Sequence, residues 1–98
     1  MKSLAKLKLN KTIYVDEDFA VWEDVIPDSY YHIYKKGTII YLQHSDEETC
    51  KYIGLNSKGF KIVEYDSILD IIEDDLFQIT KETTTEFENI LKKELREI

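Results

Sequence analysis

Cysteine, glycine and proline are all scarce in this chain, and each scarcity excludes a class of structure or site. The single cysteine, Cys50, excludes an internal disulfide and a zinc site built on several thiolates. Three glycines and one proline leave no glycine-rich phosphate-binding loop and predict short, polar connections. No apolar run approaches the ~20 residues that span a bilayer, and the N-terminal residues lack the apolar core of a secretory signal. We therefore expect a cytoplasmic protein that does not contact a membrane, with a mature secreted form as the alternative.

The apolar content is sufficient for a folded domain. The chain has 98 residues, of which 43% are hydrophobic and 12% aromatic, and a disordered chain has less of both. A domain near this size buries roughly two-thirds of the surface that its unfolded chain exposes. We expect residues 1–98 to form a single domain.

The acidic residues are concentrated in two segments. The net charge is -7, and every charged residue between positions 12 and 34, and again between 62 and 80, is an acid. In the first segment these acids are Asp16, Glu17, Asp18, Glu23, Asp24 and Asp28. Such a surface repels phosphate, so direct binding of nucleic acid is unlikely, whereas a basic protein surface is a suitable partner. The alternative is that the acids only keep the protein soluble.

Two β-hairpins are predicted in the middle of the chain. The first covers residues 30–43 with a two-residue turn at 36–37, and the second joins 50–55 to 60–65. Alternation along the strands separates branched aliphatic side chains from tyrosines. In this prediction Ile33 lies opposite Ile40 and Ile53 opposite Ile62. The predicted aliphatic face holds Tyr31, Ile33, Ile40, Leu42, Ile53, Leu55, Phe60 and Ile62. The predicted opposite face is rich in tyrosine and holds Tyr30, His32, Tyr34, Ile39 and Tyr41 from the first hairpin and Cys50, Tyr52, Val63 and Tyr65 from the second.

The flanking segments complete an α+β prediction. Residues 5–15 alternate like one or two strands, and 20–25 like another. Ser67 is expected to cap a short helix, and Thr80 a longer helix that ends near Arg96. The apolar stripe of the longer helix is Phe87, Ile90, Leu91, Leu95 and Ile98. The predicted fold is an antiparallel β-meander of four to six strands, followed by a short helix and a C-terminal amphipathic helix packed on the aliphatic sheet face.

The candidate partner-binding residues combine acids with aromatic side chains. The acidic segment is interrupted by apolar residues such as Trp22, and tyrosine and tryptophan are common at binding hot spots. The predicted set is Asp16, Glu17, Asp18, Trp22, Glu23, Asp24, Asp28, Tyr30, Tyr34 and Tyr41. The alternative is an ordinary half-buried sheet next to a solvated loop.

No catalytic residue, metal-ligand set or cofactor site is predicted. The acidic clusters lack the spaced ligands and the glycine of a calcium-binding loop. Cys50 and His44 are close in sequence but lie in no recognisable catalytic motif.

The leading functional hypothesis is a small, acidic, non-enzymatic protein-binding module. Its size and charge are typical of inhibitor or immunity-type proteins that dock on the basic surface of a nucleic-acid-handling protein such as a nuclease. The first alternative is a small-ligand-binding or enzymatic domain, with a cavity around His32 lined by Tyr30, Tyr34, Tyr41, Tyr52 and Tyr65. The second is a self-associating structural protein, and the expected state is a monomer or a homodimer.

Overall fold

Eight strands and two helices follow one another along residues 3–97, which are the residues that the computed structural model describes. In chain order the elements are β1 (Ala5–Leu9), β2 (Ile13–Val15), β3 (Val21–Trp22), β4 (His32–Tyr34), β5 (Ile39–His44), β6 (Tyr52–Leu55), β7 (Lys61–Tyr65), α1 (Ile68–Glu73), β8 (Phe77–Thr83) and α2 (Thr85–Arg96). The strands form a five-stranded antiparallel sheet in the order β7-β6-β5-β1-β8 and a three-stranded antiparallel sheet in the order β3-β2-β4. The predicted α+β class, with a strand meander, a short helix and a C-terminal helix, is confirmed.

The core lies on the inner face of the five-stranded sheet. Leu7 on β1 lies opposite Ile40 on β5, and both side chains are fully buried. Gly54 on the neighbouring strand completes the packing, because a Cβ atom there would lie 2.7 Å from Val63 and 2.8 Å from Ile40. The branched side chains of two flanking strands therefore close over a position that accepts only glycine without rearrangement.

The second predicted hairpin forms, but its pairing and its buried face differ from the prediction. Ile53 lies opposite Glu64 and Tyr52 opposite Tyr65, so the predicted pair of Ile53 with Ile62 is wrong. Tyr52 and Tyr65 are 7% and 8% exposed and share the buried cluster with residues of α1 and α2. In this hairpin the tyrosine side, and not the aliphatic side, therefore faces the helices, whereas Ile40 and Leu42 of β5 are buried in the same cluster. A large ring offers more apolar area for burial, and a buried Tyr hydroxyl needs only one hydrogen-bond partner.

The first predicted hairpin does not form. The tight turn is present, with the N–H of Thr38 donating to the carbonyl of Lys35 at 3.0 Å and Gly37 at a φ of 93°. However, β4 pairs with β2, and β5 pairs with β1 and β6. The predicted pair of Ile33 with Ile40 is therefore wrong, and Ile33 is 44% exposed. The end of β1 separates the two strands, because Leu9 exchanges backbone hydrogen bonds with the turn residues.

The short helix begins where the sequence predicts. The Ser67 side chain accepts a hydrogen bond from the N–H of Asp70 at 3.2 Å, as an N-cap does. The Glu94 carboxylate of α2 accepts further bonds from the N–H groups of Ile68 (3.2 Å) and Leu69 (3.0 Å). The two helices are thus joined by a carboxylate at a helix N-terminus, which is where a negative charge is favourable.

The longer helix begins four residues later than predicted. Its N-cap is Thr84, which accepts from the N–H of Phe87 at 3.2 Å, and not Thr80, which lies in β8. The predicted end at Arg96 is confirmed. Of the predicted stripe, Phe87 is buried, Leu95 is exposed, and Ile98 lies outside the described residues. Neither helix within residues 3–97 has the length and apolar character needed to cross a membrane.

Candidate functional site

The outer face of the three-stranded sheet carries a row of large side chains. Tyr14 on the central strand lies opposite Trp22 on β3 and Ile33 on β4, so the three side chains share one face. The ring of Tyr30 packs edge-on against that of Tyr14, with the centroids 5.2 Å apart. We call Tyr14, Trp22, Tyr30 and Ile33 the aromatic face. Trp22, Tyr30 and Ile33 are each at least 40% exposed, which leaves them available to a partner.

Asp16 holds Trp22 in place on this face. One carboxylate oxygen accepts from the N–H groups of Asp18 (2.9 Å) and Ala20 (3.0 Å), and the other accepts from the indole Nε1 of Trp22 at 2.7 Å. The bond from Trp22 lowers the pKa of Asp16, with smaller contributions from the two backbone bonds. Although Asp16 was predicted to contact a partner, both of its oxygens are bonded within the loop. Its role in the fold is to orient the indole.

The loop after Asp16 presents Phe19 to solvent. Phe19 has a φ of 62° and is 79% exposed, and its ring centroid lies 6.4 Å from that of Tyr31. A bulky residue in the left-handed region is strained unless its surroundings hold it there. The backbone bonds to Asp16 on both sides of Phe19 provide that support.

Removing the charge of Asp16 is expected to release Trp22. In Asp16→Asn the amide offers one acceptor oxygen in place of two, so it cannot serve both the loop N–H groups and the indole. We expect a red-shifted emission of Trp22, the single tryptophan of the chain, and easier quenching by acrylamide. Asp18→Asn is the matched control, because only the backbone N–H of Asp18 takes part in the loop bonds. Emission of Asp16→Asn identical to that of the wild type would show that the carboxylate does not position the indole.

The hydrogen bond from Trp22 to Asp16 also predicts how the emission of Trp22 depends on pH. Because the pKa of Asp16 is lowered in the folded protein, its contribution to stability is complete above the ordinary carboxyl range. That contribution is lost as the pH falls through the lowered pKa. The emission of Trp22 should therefore change at a more acidic midpoint than the titration of an unperturbed aspartate, as measured by fluorescence in an acid titration.

The remaining predicted acids are exposed and lie in the loops that connect the strands of the small sheet. Glu23 forms an ion pair with Lys11 at 3.5 Å, and both side chains are more than a third exposed. An ion pair of this kind contributes only about 0–1 kcal/mol, so a cation of a partner can compete for Glu23. The other four acids are exposed and form no side-chain ion pair within residues 3–97; they are Glu17, Asp18, Asp24 and Asp28.

The three tyrosines predicted to bind a partner lie in three different places. Tyr30 belongs to the aromatic face. Tyr34 lies on the opposite side of the small sheet, where its hydroxyl accepts from Asn56 Nδ2 at 3.2 Å. Tyr41 lies on the outer face of the five-stranded sheet, with the Lys6 ammonium 5.7 Å from its ring centroid. A single tyrosine face was predicted from a hairpin that does not form, so that prediction is wrong.

Sequence reasoning missed Tyr14 and Ile33 as members of the exposed row. The alternation of Ile13, Tyr14 and Val15 does indicate that Tyr14 points away from the core, since its two neighbours are buried. No local pattern shows that β2 is the central strand of a separate sheet. Without that knowledge, Trp22 and Ile33 cannot be placed beside Tyr14.

A groove of about 860 Å³ lies between the inner face of the small sheet and the edge strand β7. It contains His32, Tyr34 and Tyr65 from the predicted ligand cavity, but Tyr30, Tyr41 and Tyr52 do not line it. The hydroxyl of Tyr65 donates to Asp74 at 3.1 Å. Burial, followed by the nearby Asp74 carboxylate, raises the pKa of Tyr65, so this hydroxyl stays protonated and is not a base at neutral pH.

An acidic cluster near the groove is compensated by a lysine. The Lys61 ammonium bonds to Glu64 and to both oxygens of Glu47 (3.0 and 3.1 Å), which raises the pKa of Lys61 and lowers that of Glu64. Ligand atoms of Glu47, Cys50 and Glu64 lie within 4.8 Å of one another, a spacing that a metal ion could use. Because the ammonium already bridges the two carboxylates, this cluster supports no metal site by itself.

Comparison of the chain with models of known protein families, with curated proteins and with solved structures found no match. The function must therefore be inferred from the surfaces of the molecule. Of these, the aromatic face combines exposed large side chains with a fixed indole, and it belongs to a segment whose charged residues are all acidic.

Proposed function

We propose that this protein is a small non-enzymatic protein-binding module whose aromatic face docks on a basic surface of another protein. The observation that supports it is the row formed by Trp22, Tyr14 and Ile33, of which Trp22 and Ile33 are at least 40% exposed, within a segment whose charged residues are all acidic. Interfaces are enriched in Trp and Tyr, and exposed apolar surface rimmed by polar groups is typical of interaction sites.

The two kinds of side chain have different roles in this proposal. The acids between residues 16 and 28 attract the partner and orient it, which mainly raises the association rate. Trp22 and the neighbouring rings are desolvated in the complex and slow its dissociation. Because the bond to Asp16 already fixes the indole, little side-chain entropy is lost on binding.

The class of partner follows from the charge. Proteins that handle nucleic acids present clustered Lys and Arg to phosphates, and such a surface is complementary to this segment. An acidic module bound there would exclude the nucleic acid by occupying its cation sites. The proposed activity is therefore that of an inhibitor or immunity-type protein acting on, for example, a nuclease in the cytoplasm.

Two double variants with the same net charge, but with the charge reversals at different places on the surface, test this proposal. The protein is immobilised, its partner is captured from a lysate of the source cells and purified, and association rates are measured for two double variants. Asp24→Lys with Asp28→Lys is expected to slow association about tenfold at low salt, because it reverses charges beside the aromatic face. Asp66→Lys with Glu97→Lys places the same charges elsewhere on the exposed surface and is expected to change the rate about twofold or less.

Salt provides the second arm of this experiment. Association of the wild-type protein is expected to slow by more than about tenfold as salt is added, because screening weakens charge-led encounter. Equal effects of the two double variants, or association that is independent of salt, would contradict the proposal.

A further inference from the structure

The groove beside β7 follows the edge of a sheet. Within residues 3–97, β7 has β6 as its one strand neighbour, so it is an edge strand of the five-stranded sheet. Residues 60–65 all line the groove in succession. Successive side chains of a strand point to opposite faces of the sheet, so a groove on one face would be lined by alternate residues only. Because every residue of this segment lines the groove, the groove runs along the edge of the sheet. The backbone groups that point away from β6 are therefore directed into the groove.

The opposite wall is the inner face of the three-stranded sheet. It contributes Val15, Val21 and Tyr34, and Phe19 extends it at the loop. Phe60, at the near wall, is 63% exposed, and Phe19 is 79% exposed. The groove is thus a slot with apolar walls and a strand edge on one side, which is the geometry for adding one more strand.

The charges at the slot favour a basic occupant. Among residues 3–97, Lys61 is the one lysine that lines the groove, and it is already bonded to Glu47 and Glu64. Asp74 adds a third carboxylate. We infer that this groove binds an extended peptide segment of a partner protein, in which apolar side chains alternate with Lys or Arg and the backbone pairs with β7. The inference is independent of the proposed function, because it uses the opposite face of the small sheet.

A second copy of this chain is a less suitable occupant than a basic segment. Two copies each carry a net charge of -7, and pairing β7 with β7 would bring like-charged acidic clusters together. Edge strands with charged residues are a common means by which proteins avoid such self-association.

The test is a nuclear magnetic resonance titration of the full chain with a defined probe. The probe is an eight-residue peptide of alternating valine and lysine with blocked termini. Saturable shifts are expected at the amides of residues 60–65 and of Val15, Val21 and Tyr34. A twin peptide N-methylated at every backbone amide is expected to bind about tenfold more weakly, because neither of its edges has an N–H group to donate to β7. A valine–glutamate twin is expected not to bind.

Variants of the exposed groove residues keep the test independent of folding. Phe19→Ala combined with Phe60→Ala is expected to weaken the peptide about five- to tenfold, because both side chains line the slot and neither belongs to the buried core. Ile26→Ala, at a 62% exposed residue outside the groove, is the matched control and should leave affinity unchanged. The Asp24→Lys, Asp28→Lys variant should also leave it unchanged, so the two proposals can fail separately.

Each contrary result overturns the inference. Absence of saturable binding, shifts centred on the aromatic face or on β8, or equal binding of the N-methylated twin would each do so. Equal binding of the valine–glutamate twin would overturn the basic chemistry of the occupant. Light scattering that shows a dimer, with its contacts at residues 60–65 in the absence of peptide, would assign the groove to a second copy.

Discussion

Phe87→Ala is expected to lower the free energy of unfolding by about 3–5 kcal/mol, as large-to-small substitutions of a buried phenylalanine do. Phe87 is 2% exposed and is the buried residue of α2 that joins the core cluster. Because single domains are stable by only about 5–15 kcal/mol, this change would leave the protein close to unfolding at 37 °C. Urea denaturation followed by circular dichroism measures the effect.

Leu95→Ala is the matched control for Phe87→Ala. Leu95 lies on the same helix and belongs to the same predicted stripe, but it is 53% exposed. We expect it to cost less than about 1 kcal/mol, since most of its surface is already in contact with water. A similar decrease in the free energy of unfolding for both variants would mean that α2 does not pack through Phe87 as described. Contacts of Glu94 or of other residues would then hold α2 against the sheet.

Trp22→Ala is expected to weaken the partner complex by about 2 kcal/mol or more, which is roughly thirtyfold in the dissociation constant. Trp22 is the largest member of the aromatic face and is held by Asp16, so its truncation removes both contact area and preorganisation. Most of the change should be in the dissociation rate. Surface plasmon resonance with the purified partner measures both rates, and circular dichroism checks that the variant is folded.

Tyr41→Ala is the informative comparison for Trp22→Ala. The sequence predicts both residues at the interface, whereas the structure places Tyr41 on a different sheet beside Lys6. We expect its replacement to change affinity by about twofold or less, as is usual away from a hot spot. A loss as large as that of Trp22→Ala would mean that the partner contacts the outer face of the five-stranded sheet instead.

Local patterns were sufficient for the fold class and for several element ends. The α+β class, the cap at Ser67 and the end of α2 at Arg96 depend on propensity and capping chemistry, which act within a few residues. Thr80 was a plausible cap, but β8 continues to Thr83 because its backbone pairs with β1. A tertiary contact therefore decided between two chemically equivalent threonines.

The aromatic face could be only partly predicted, for a related reason. Alternation shows which residues share a face of one strand, but it does not show which strands are neighbours. The acidic segment and Trp22 are apparent in the sequence. Tyr14 and Ile33 lie beside Trp22 only because β2 pairs with both β3 and β4. That pairing requires the chain after β4 to cross into the other sheet, and no local pattern specifies it.

The most direct test of the central claim is amide hydrogen exchange of the protein alone and in complex with its purified partner. The account predicts slowed exchange at residues 13–15, 21–22 and 32–34 and in the acidic loop, together with a blue-shifted Trp22 emission. Slowed exchange confined to α2 or to the outer face of the five-stranded sheet, with Trp22 emission unchanged, would contradict it.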